Sequence, residues 1–494
     1  MKNMKTKFIQ IFITMAGTFA FTACEEQLEL DPISENTTAN AYSTGSDAEA
    51  ALIGVYDSFQ QEYYIWDNII FSDIISDNYY AGGDNPEVYA VEDLDISPTN
   101  SRLFNNWSQI YTAIAKANIV LQKVPGIVDP SFSETRKNQV LGEASFLRAY
   151  HYYNLVKLWG GVPLVLETGS TDPAVVNKPR ASEIEVYNQI VADLDFAVAN
   201  LPYTYGADAN VNKGRATKGA ANALLAKVWA QRPDRDYEKV LEYANAVINS
   251  PAGYALLENY DHLFDGNHYN NSESILEIQF IGGPEANWGP QLLLPPSLSG
   301  DTWRKFVTPS HDLVNAFDAE GDVVRKNATI LFEQAPWADE FWSLQLNGNV
   351  PFAYKWRSAN GWASTNRQYI FRLADIILLK AEALNALGRV DDAAVEVNRI
   401  RERVGLGETT ATTQNDMALA IENERRLELA QEGQRWYDLK RYGRAVTVMN
   451  NLQETDLRTN TVKQYNMTEN KLFLPIPQSE RNRNPNLEQN PGYN

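Results

Sequence analysis

The run from Tyr369 to Gly388 restricts the possible folds more than any other stretch of the chain. Leu373, Ile377, Ala381, Leu384 and Leu387 recur every three or four residues, the spacing of an amphipathic helix. Gly388 supplies a stop, Asp391 and Asp392 place negative charge at the next start, and Ala394, Val397, Ile400 and Val404 form a second apolar stripe. So short a connection makes the two helices antiparallel. After a Gly/Thr-rich loop at Gly405–Thr413, a third helix is expected from about Met417 to Gln431, with acids and arginines crowding its polar face. Small residues at Ala393-Ala394 and the turn at Gly388 give the pair the layout of a tetratricopeptide unit.

One such unit cannot bury its own apolar face, so the sequence must contain others. Gly219–Ala230 with Tyr237–Asn249 repeats the pattern, as do Leu141–Trp159 with Glu183–Leu201 and Ala48–Gln60 with Trp107–Val124. The expected fold class is mostly α: a tetratricopeptide-like helical-repeat scaffold with an irregular, loop-rich, aromatic insertion. The helical pairs fall at about 48–124, 141–201, 217–249 and 369–431, the insertion at about 250–366, and 39–494 is one body.

The N-terminus reads as an export signal. Lys2, Lys5 and Lys7 precede an apolar run from Phe8 to Phe21, which ends in Thr22-Ala23-Cys24. Residues 1–23 are therefore expected to be a lipoprotein signal peptide. Cys24 is the only cysteine, so no disulfide forms within the chain, and its position after small residues marks it as the lipidation site. Residues 24–38 read as a flexible tether. A diacyl-plus-amide anchor exceeds the two lipid signals that stable membrane attachment needs. No later stretch approaches the roughly 20 apolar residues of a membrane span. A net charge of −20 and the lack of a basic face argue against nucleic acid as a partner.

Candidate binding residues cluster in two places. Six of the eleven tryptophans lie in Ser250–Asn366: Trp288, Trp303, Trp337, Trp342, Trp356 and Trp362. An aromatic face stacks on the C–H surface of a pyranose ring, burying a large apolar area at little side-chain entropy cost. Trp356 sits in the alternating run Phe352–Arg357 and is assigned to the core. Trp288, Trp337, Trp342 and Trp362 have polar, loop-like neighbours and are the candidate stacking faces. The second place is Tyr63–Asn105, expected to be mostly loop. There Asp73, Asp77, Asn78, Tyr79, Tyr80, Gly82 and Gly83 suit either a sugar-binding or ion-binding loop, or an ordinary surface turn with its tyrosines folded back; Asn78, Tyr79 and Tyr80 join the candidates.

Catalytic and metal signatures are weak. The four histidines, His151, His262, His268 and His311, form no His-Glu-x-x-His pair, so no catalytic zinc site is expected. Asp265-Gly-Asn267 with Glu273 lacks the acidic alternation of a calcium loop and reads as a structural turn. A structural calcium is conceivable on that loop, but neither a metal nor a cofactor is expected. No nucleophile elbow or phosphate-cradling loop is present. The acids in Glu422–Glu432 have arginine neighbours, the pattern of a salt-bridged helix face.

Several longer blocks resemble a known family. Phe146–Pro163, Arg372-Leu-Ala-Asp-Ile376, Glu424–Leu429 with Arg435-Trp-Tyr-Asp-Leu439, and Pro485–Gly492 are similar to the SusD/RagB family, as is Cys24 followed by Glu25-Glu26. The resemblance implies a SusD-like, outer-membrane, cell-surface, lipid-anchored protein. It would bind a polysaccharide or oligosaccharide and deliver it to a SusC-like TonB-dependent transporter, without catalysis. It also implies that the helical half faces the transporter and the irregular half the glycan, which makes Trp288, Trp337, Trp342 and Trp362, with Asn78, Tyr79 and Tyr80, the candidate glycan contacts. Two alternatives stand beside this. A surface endo-glycosidase would need paired carboxylates among the tryptophans, where Asp339-Glu340 is the obvious local pair. A protein-only interaction scaffold would leave the tryptophan density unexplained.

Overall fold

A computed structural model describes residues 41–301, 305–335, 347–456 and 458–493. The expected signal peptide, Cys24 and the tether at 24–38 lie outside the described residues, as do Trp303, Trp337, Trp342, Asp339 and Glu340.

The scaffold is a succession of helices, most of them started by a polar side chain that satisfies an otherwise orphaned first-turn N–H. Helix α1 (Gly45–Tyr56) begins with a capping box in which the Thr44 hydroxyl accepts from Asp47 N–H and the Asp47 carboxylate accepts from Thr44 N–H. Asn100 caps α2 (Ser101–Lys123), Ser133 caps α3 (Glu134–Trp159), and Ser182 with Glu185 forms a second capping box on α4 (Glu183–Asn200). Thr217 and Asp236 cap α5 (Lys218–Gln231) and α6 (Tyr237–Ile248). Helix α7 (Leu373–Ala386) runs straight out of a strand and has no side-chain cap; instead Leu373 N–H donates to the Glu273 carbonyl of the adjacent strand. Gly388, at φ +78°, turns the chain into α8 (Val390–Arg403), and α9 (Gln414–Glu428) follows behind Thr413. It starts three residues before the expected position because Thr413 accepts from Asp416 N–H.

From α2 to α8 each helix packs on the next, and α9 covers α7 and α8. Helix α6 packs directly on α7, so the insertion between them leaves the repeat continuous. Strand Ser274–Ile278 pairs antiparallel with Gln368–Arg372 and brings the two ends of the insertion together at the base of α7. A second hairpin pairs Ile330–Gln334 with Asn349–Ala353. Tyr79–Ala81 pairs with Val307–Pro309, tying the 63–95 segment to the insertion. Most buried apolar side chains of both halves belong to one continuous core. Among the described residues no helix is long and apolar enough to cross a membrane.

One sequence expectation needs correction. The segment Tyr63–Asn105 is not mostly loop: it contains wide helical turns at Tyr63–Asp67 and Ile70–Ile74, a strand and a helix at Pro86–Glu92, and its apolar run is buried. The charged face of α9 is salt-bridged, as expected, and its bridges lie in the interior. Glu424 and Glu428 are buried. Glu428 accepts from Arg325 (3.1 Å), Arg372 (2.5 Å) and Arg403, while Arg325 also meets Glu424 and Asp322, and Arg372 also meets Glu273 and Glu432. This interior ion network joins α8 and α9 of the scaffold to the strands and helices of the insertion. Burial opposes the charge on Glu428, but the guanidiniums of Arg403, Arg372 and Arg325 outweigh it and hold the carboxyl below the usual range.

Candidate functional site

The described part of the insertion has one exposed tryptophan, Trp362, at 42% exposure. It stands on a single turn, Asn360–Trp362, in which Asn360, Gly361 and Trp362 have φ of +46°, +58° and +74°. Glycine accepts that region freely, whereas a bulky side chain does so at a cost of roughly 1–3 kcal/mol. Buried asparagines hold the base of the turn. Asn287 N–H donates to Ser364 C=O (2.9 Å), Asn287 Nδ2 donates to Asn366 C=O (2.9 Å), and the Asn366 side-chain oxygen accepts from Ser358 N–H (2.7 Å). Gly289 N–H donates to the Asn287 side-chain oxygen (3.1 Å), which links the neighbouring turn.

Around Trp362 the surface is apolar in the middle and polar at one edge. Its turn packs against Gly289–Leu292 and Pro296–Ser299. Leu298 (42% exposed) lies on the second of these, and Ile281 (68%) on the loop that follows strand Ser274–Ile278. Gly282 brings the Ile281 loop close to Ala363 and Thr365. On the polar edge the Arg367 guanidinium lies 4.7 Å from the Tyr269 ring and pairs with Glu277 at 3.2 Å. Burial raises the Tyr269 hydroxyl above its usual range, and Thr365 and Asn366 side chains bond to it. An exposed indole can stack on a sugar ring, and hydroxyl and guanidinium groups fixed near the same loop can bond its hydroxyls.

The other candidate residues fall in different environments. Trp288 is half-buried, its ring edge-on to Trp66 at 6.2 Å, and Trp66 is itself held by the Arg102 guanidinium at 4.6 Å. Trp288 thus underlies the platform more than it forms its face. Trp356 is in the core, as its alternating context indicated. Asn78, Tyr79 and Tyr80 are buried and offer no surface to a ligand. Asn78 accepts from Arg426 Nε at 2.7 Å, and Tyr79-Tyr80 lie in the short strand against Val307–Pro309. Asp77 receives both Arg435 Nε and Nη2 at 2.7 Å, so this polar cluster is a set of interior ion partners. Trp337 and Trp342 lie outside the described residues.

Candidate acids are likewise committed internally. Burial pushes Asp73 up to about 7, but its oxygens accept from Ser72, Gln431 N–H and Gly433 N–H within the core. Glu273 is buried between Arg372 and Arg403, which removes it from any calcium loop; Asp265 accepts from Asn267 N–H (2.8 Å) and His268 N–H (3.2 Å), the expected structural turn. Sequence reasoning missed Ile281, Leu298, Tyr269 and Arg367. The Gly282-Gly283 and Pro295-Pro296 dipeptides were the available sign that Ile281 and Leu298 sit at loop tips.

Comparison with known proteins agrees with this architecture. Residues 28–229 match a family model described as "Starch-binding associating with outer membrane", and residues 333–493 match the SusD family model. The chain is similar to SusD-like protein P38 of Formosa agariphila, 28% identical with all of both chains covered. It is also similar to the starch-binding protein SusD of Bacteroides thetaiotaomicron, 24% identical over 99% of this chain and 100% of that one. Among solved structures, a laminarin-binding SusD-like protein superposes with a TM-score of 0.75 at 28% identity, covering 92% of this chain and 100% of that one. Surface glycan-binding protein A from Bacteroides fluxus gives a TM-score of 0.74 at 26% identity, covering 91% and 100%. With a mostly helical fold shared end to end and both family models on its two halves, the chain belongs to the SusD family of non-catalytic binding proteins.

Proposed function

We propose that this protein binds an oligosaccharide or polysaccharide at the cell surface, without cleaving it, and passes it to a SusC-like TonB-dependent transporter of the outer membrane. The observation that carries the reading is Trp362, an exposed indole on a conformationally costly turn clamped by buried asparagines. Backbone cost of this kind persists where the surroundings over-determine it, as they do at ligand-contacting positions. Trp362 supplies the stacking face, Trp288 supports it, and Tyr269 and Arg367 form the polar edge. The relatives named for starch and laminarin make neutral glucose polymers the first ligands to test. Cys24 carries the lipid anchor. On the scaffold, Val395 of α8 and Leu419 of α9 are exposed apolar side chains suited to a transporter contact.

The test is native affinity electrophoresis of the purified protein in gels containing starch, laminarin or a uronic-acid polymer, with a reducing-end assay on the same mixtures. Retardation by a polysaccharide with no new reducing ends is the expected result. New reducing ends would support the glycosidase alternative. Unretarded migration in every gel would leave the protein-only scaffold. Co-purification with a SusC-like transporter from native membranes tests the delivery step.

A further inference from the structure

At the edge of the insertion, His262, Asp265 and His268 come together in a way that neither glycan binding nor the fold requires. Their donor atoms, two imidazole nitrogens and a carboxylate oxygen, all lie within 4.8 Å of one another. The two imidazoles stack with centroids 3.8 Å apart and planes 10° from parallel. His268 Nδ1 is 2.7 Å from the second Asp265 oxygen, Oδ2, while Oδ1 takes the backbone N–H groups of Asn267 and His268. The arrangement is built locally. His262 lies in the short helical turn Tyr260–Leu263, capped by Asn259, and Gly266 at φ +77° folds the chain back so that residue 268 returns over residue 262. Beyond the stack, the His262 ring makes no hydrogen bond to the described residues.

We propose that His262, Asp265 and His268 form a binding site for one divalent late first-row transition ion, with Zn2+ as the representative. Two imidazoles and a carboxylate are the donor set of open zinc sites, with a fourth position left for water or another ligand. Calcium and magnesium prefer all-oxygen sets and are disfavoured here. Tetrahedral bonds of about 2.0–2.1 Å put donor atoms about 3.3 Å apart. The Asp265–His268 edge is already shorter than that, and because the two rings are stacked nearly parallel, the His262 ring must swing out of the stack to aim a nitrogen lone pair at the shared ion. Both histidines have room for it, since His262 is only half-buried and the His268 side chain is 45% exposed. The hydrogen bond keeps two ligand side chains adjacent before the ion arrives, and the proton it holds is released to solvent if His268 Nδ1 takes the ion. The fourth position faces solvent beside the exposed His268.

The loop that carries this site is joined to the sheet beneath the platform. Asn271 Nδ2 donates to His268 C=O (2.9 Å) and to the Tyr369 hydroxyl (2.7 Å), Tyr369 donates to Leu263 C=O (2.9 Å), and Asp261 pairs with Arg357. A bound ion would thus close a loop bordering Tyr269 and Asn366, stiffening the polar edge of the surface around Trp362.

The experiment is equilibrium dialysis of the full mature protein, free of any histidine tag, against micromolar Zn2+, with bound metal measured by mass spectrometry. Co2+ substitution then reads the coordination geometry by its d–d absorption. One Zn2+ per chain is expected, undisplaced by a hundred-fold excess of Ca2+, with the intense Co2+ bands of a tetrahedral site. His262→Ala and His268→Ala should each lower affinity at least about tenfold, and Asp265→Asn should do the same. Because the cluster is solvent-facing, the metal-free melting temperatures of the histidine variants should match wild type, which separates loss of the site from loss of the fold. Equal Zn2+ binding by wild type and the histidine variants, or free displacement by Ca2+, would overturn the assignment.

Discussion

Replacing Glu428 by Gln removes one negative charge from the centre of the network that joins scaffold to insertion while nearly preserving shape. The three guanidiniums it meets are all buried, with side-chain exposures of 0% for Arg325, 1% for Arg372 and 3% for Arg403. Breaking a buried ion pair by removing one partner typically costs about 3–5 kcal/mol. Here Arg325 keeps Asp322 and Glu424, Arg372 keeps Glu273 and Glu432, and Arg403 keeps Glu273, so the low end, about 3 kcal/mol, is expected. A control, Glu480→Gln, removes the partner of the exposed Arg483 and should cost under about 0.5 kcal/mol. Urea unfolding followed by tryptophan fluorescence measures both. The pH dependence adds a sign. Because the Glu428 carboxyl is held below the ordinary range, its stabilisation is full above the unfolded value of about 4.3 and is lost as pH falls below it. The gap between wild type and variant should therefore be widest near neutrality and narrow below about pH 4. A gap under about 1 kcal/mol at pH 7, or one that widens on acidification, would refute this account of the network.

Three other outcomes follow. Burial lowers the His151 imidazole to about 3, against Tyr64 Oη at 2.5 Å, so the folded chain keeps it neutral while the unfolded chain takes up a proton below about pH 6.5. Its contribution is full above pH 6.5 and falls as pH drops toward 3; the stability gap between wild type and His151→Gln should shrink by about 2 kcal/mol from pH 7 to pH 5, and a pH-independent gap in urea titrations would contradict this. Gly289→Ala puts a Cβ 2.8 Å from the Trp356 ring and 3.2 Å from the Ile65 carbonyl, and should destabilise by about 1–3 kcal/mol in thermal melts; no change would mean the contact relaxes freely. Cys24→Ala should move the protein from the membrane to the soluble fraction, and a variant that still pellets and labels with palmitate would exclude lipidation there.

The helical scaffold was legible because its information is local. The three-to-four-residue apolar spacing in Leu373–Leu387, the stop at Gly388 and the polar caps each act within a turn or two. Trp356 was legible for the same reason, through strand alternation. Asn78, Tyr79 and Tyr80 were misread because the groups that consume this polar segment, Arg426 and Arg435, are about 350 residues away. That the α9 salt bridges are buried was not legible, because their partners Arg325 and Arg372 sit in elements whose approach depends on how the insertion folds back. The stacking of His262 on His268 depends on one glycine turn and fits no helical histidine spacing. In each case the missing information was tertiary.

The claim that Trp362 is the stacking face of a glycan platform is tested most directly by isothermal titration of Trp362→Ala with a polysaccharide that retards the wild type. Truncation should remove roughly 1–3 kcal/mol of binding, the alanine cost of an aromatic stacking contact, and lower affinity about tenfold or more. With 42% of the residue exposed, the indole contributes less to folding than a buried one, whose removal costs about 3–5 kcal/mol. Trp356→Ala is the matching core control. The account predicts that Trp362→Ala loses binding while losing clearly less stability than Trp356→Ala. Full affinity in Trp362→Ala together with a stability loss as large as that of Trp356→Ala would show that Trp362 is a packing residue and would contradict the account.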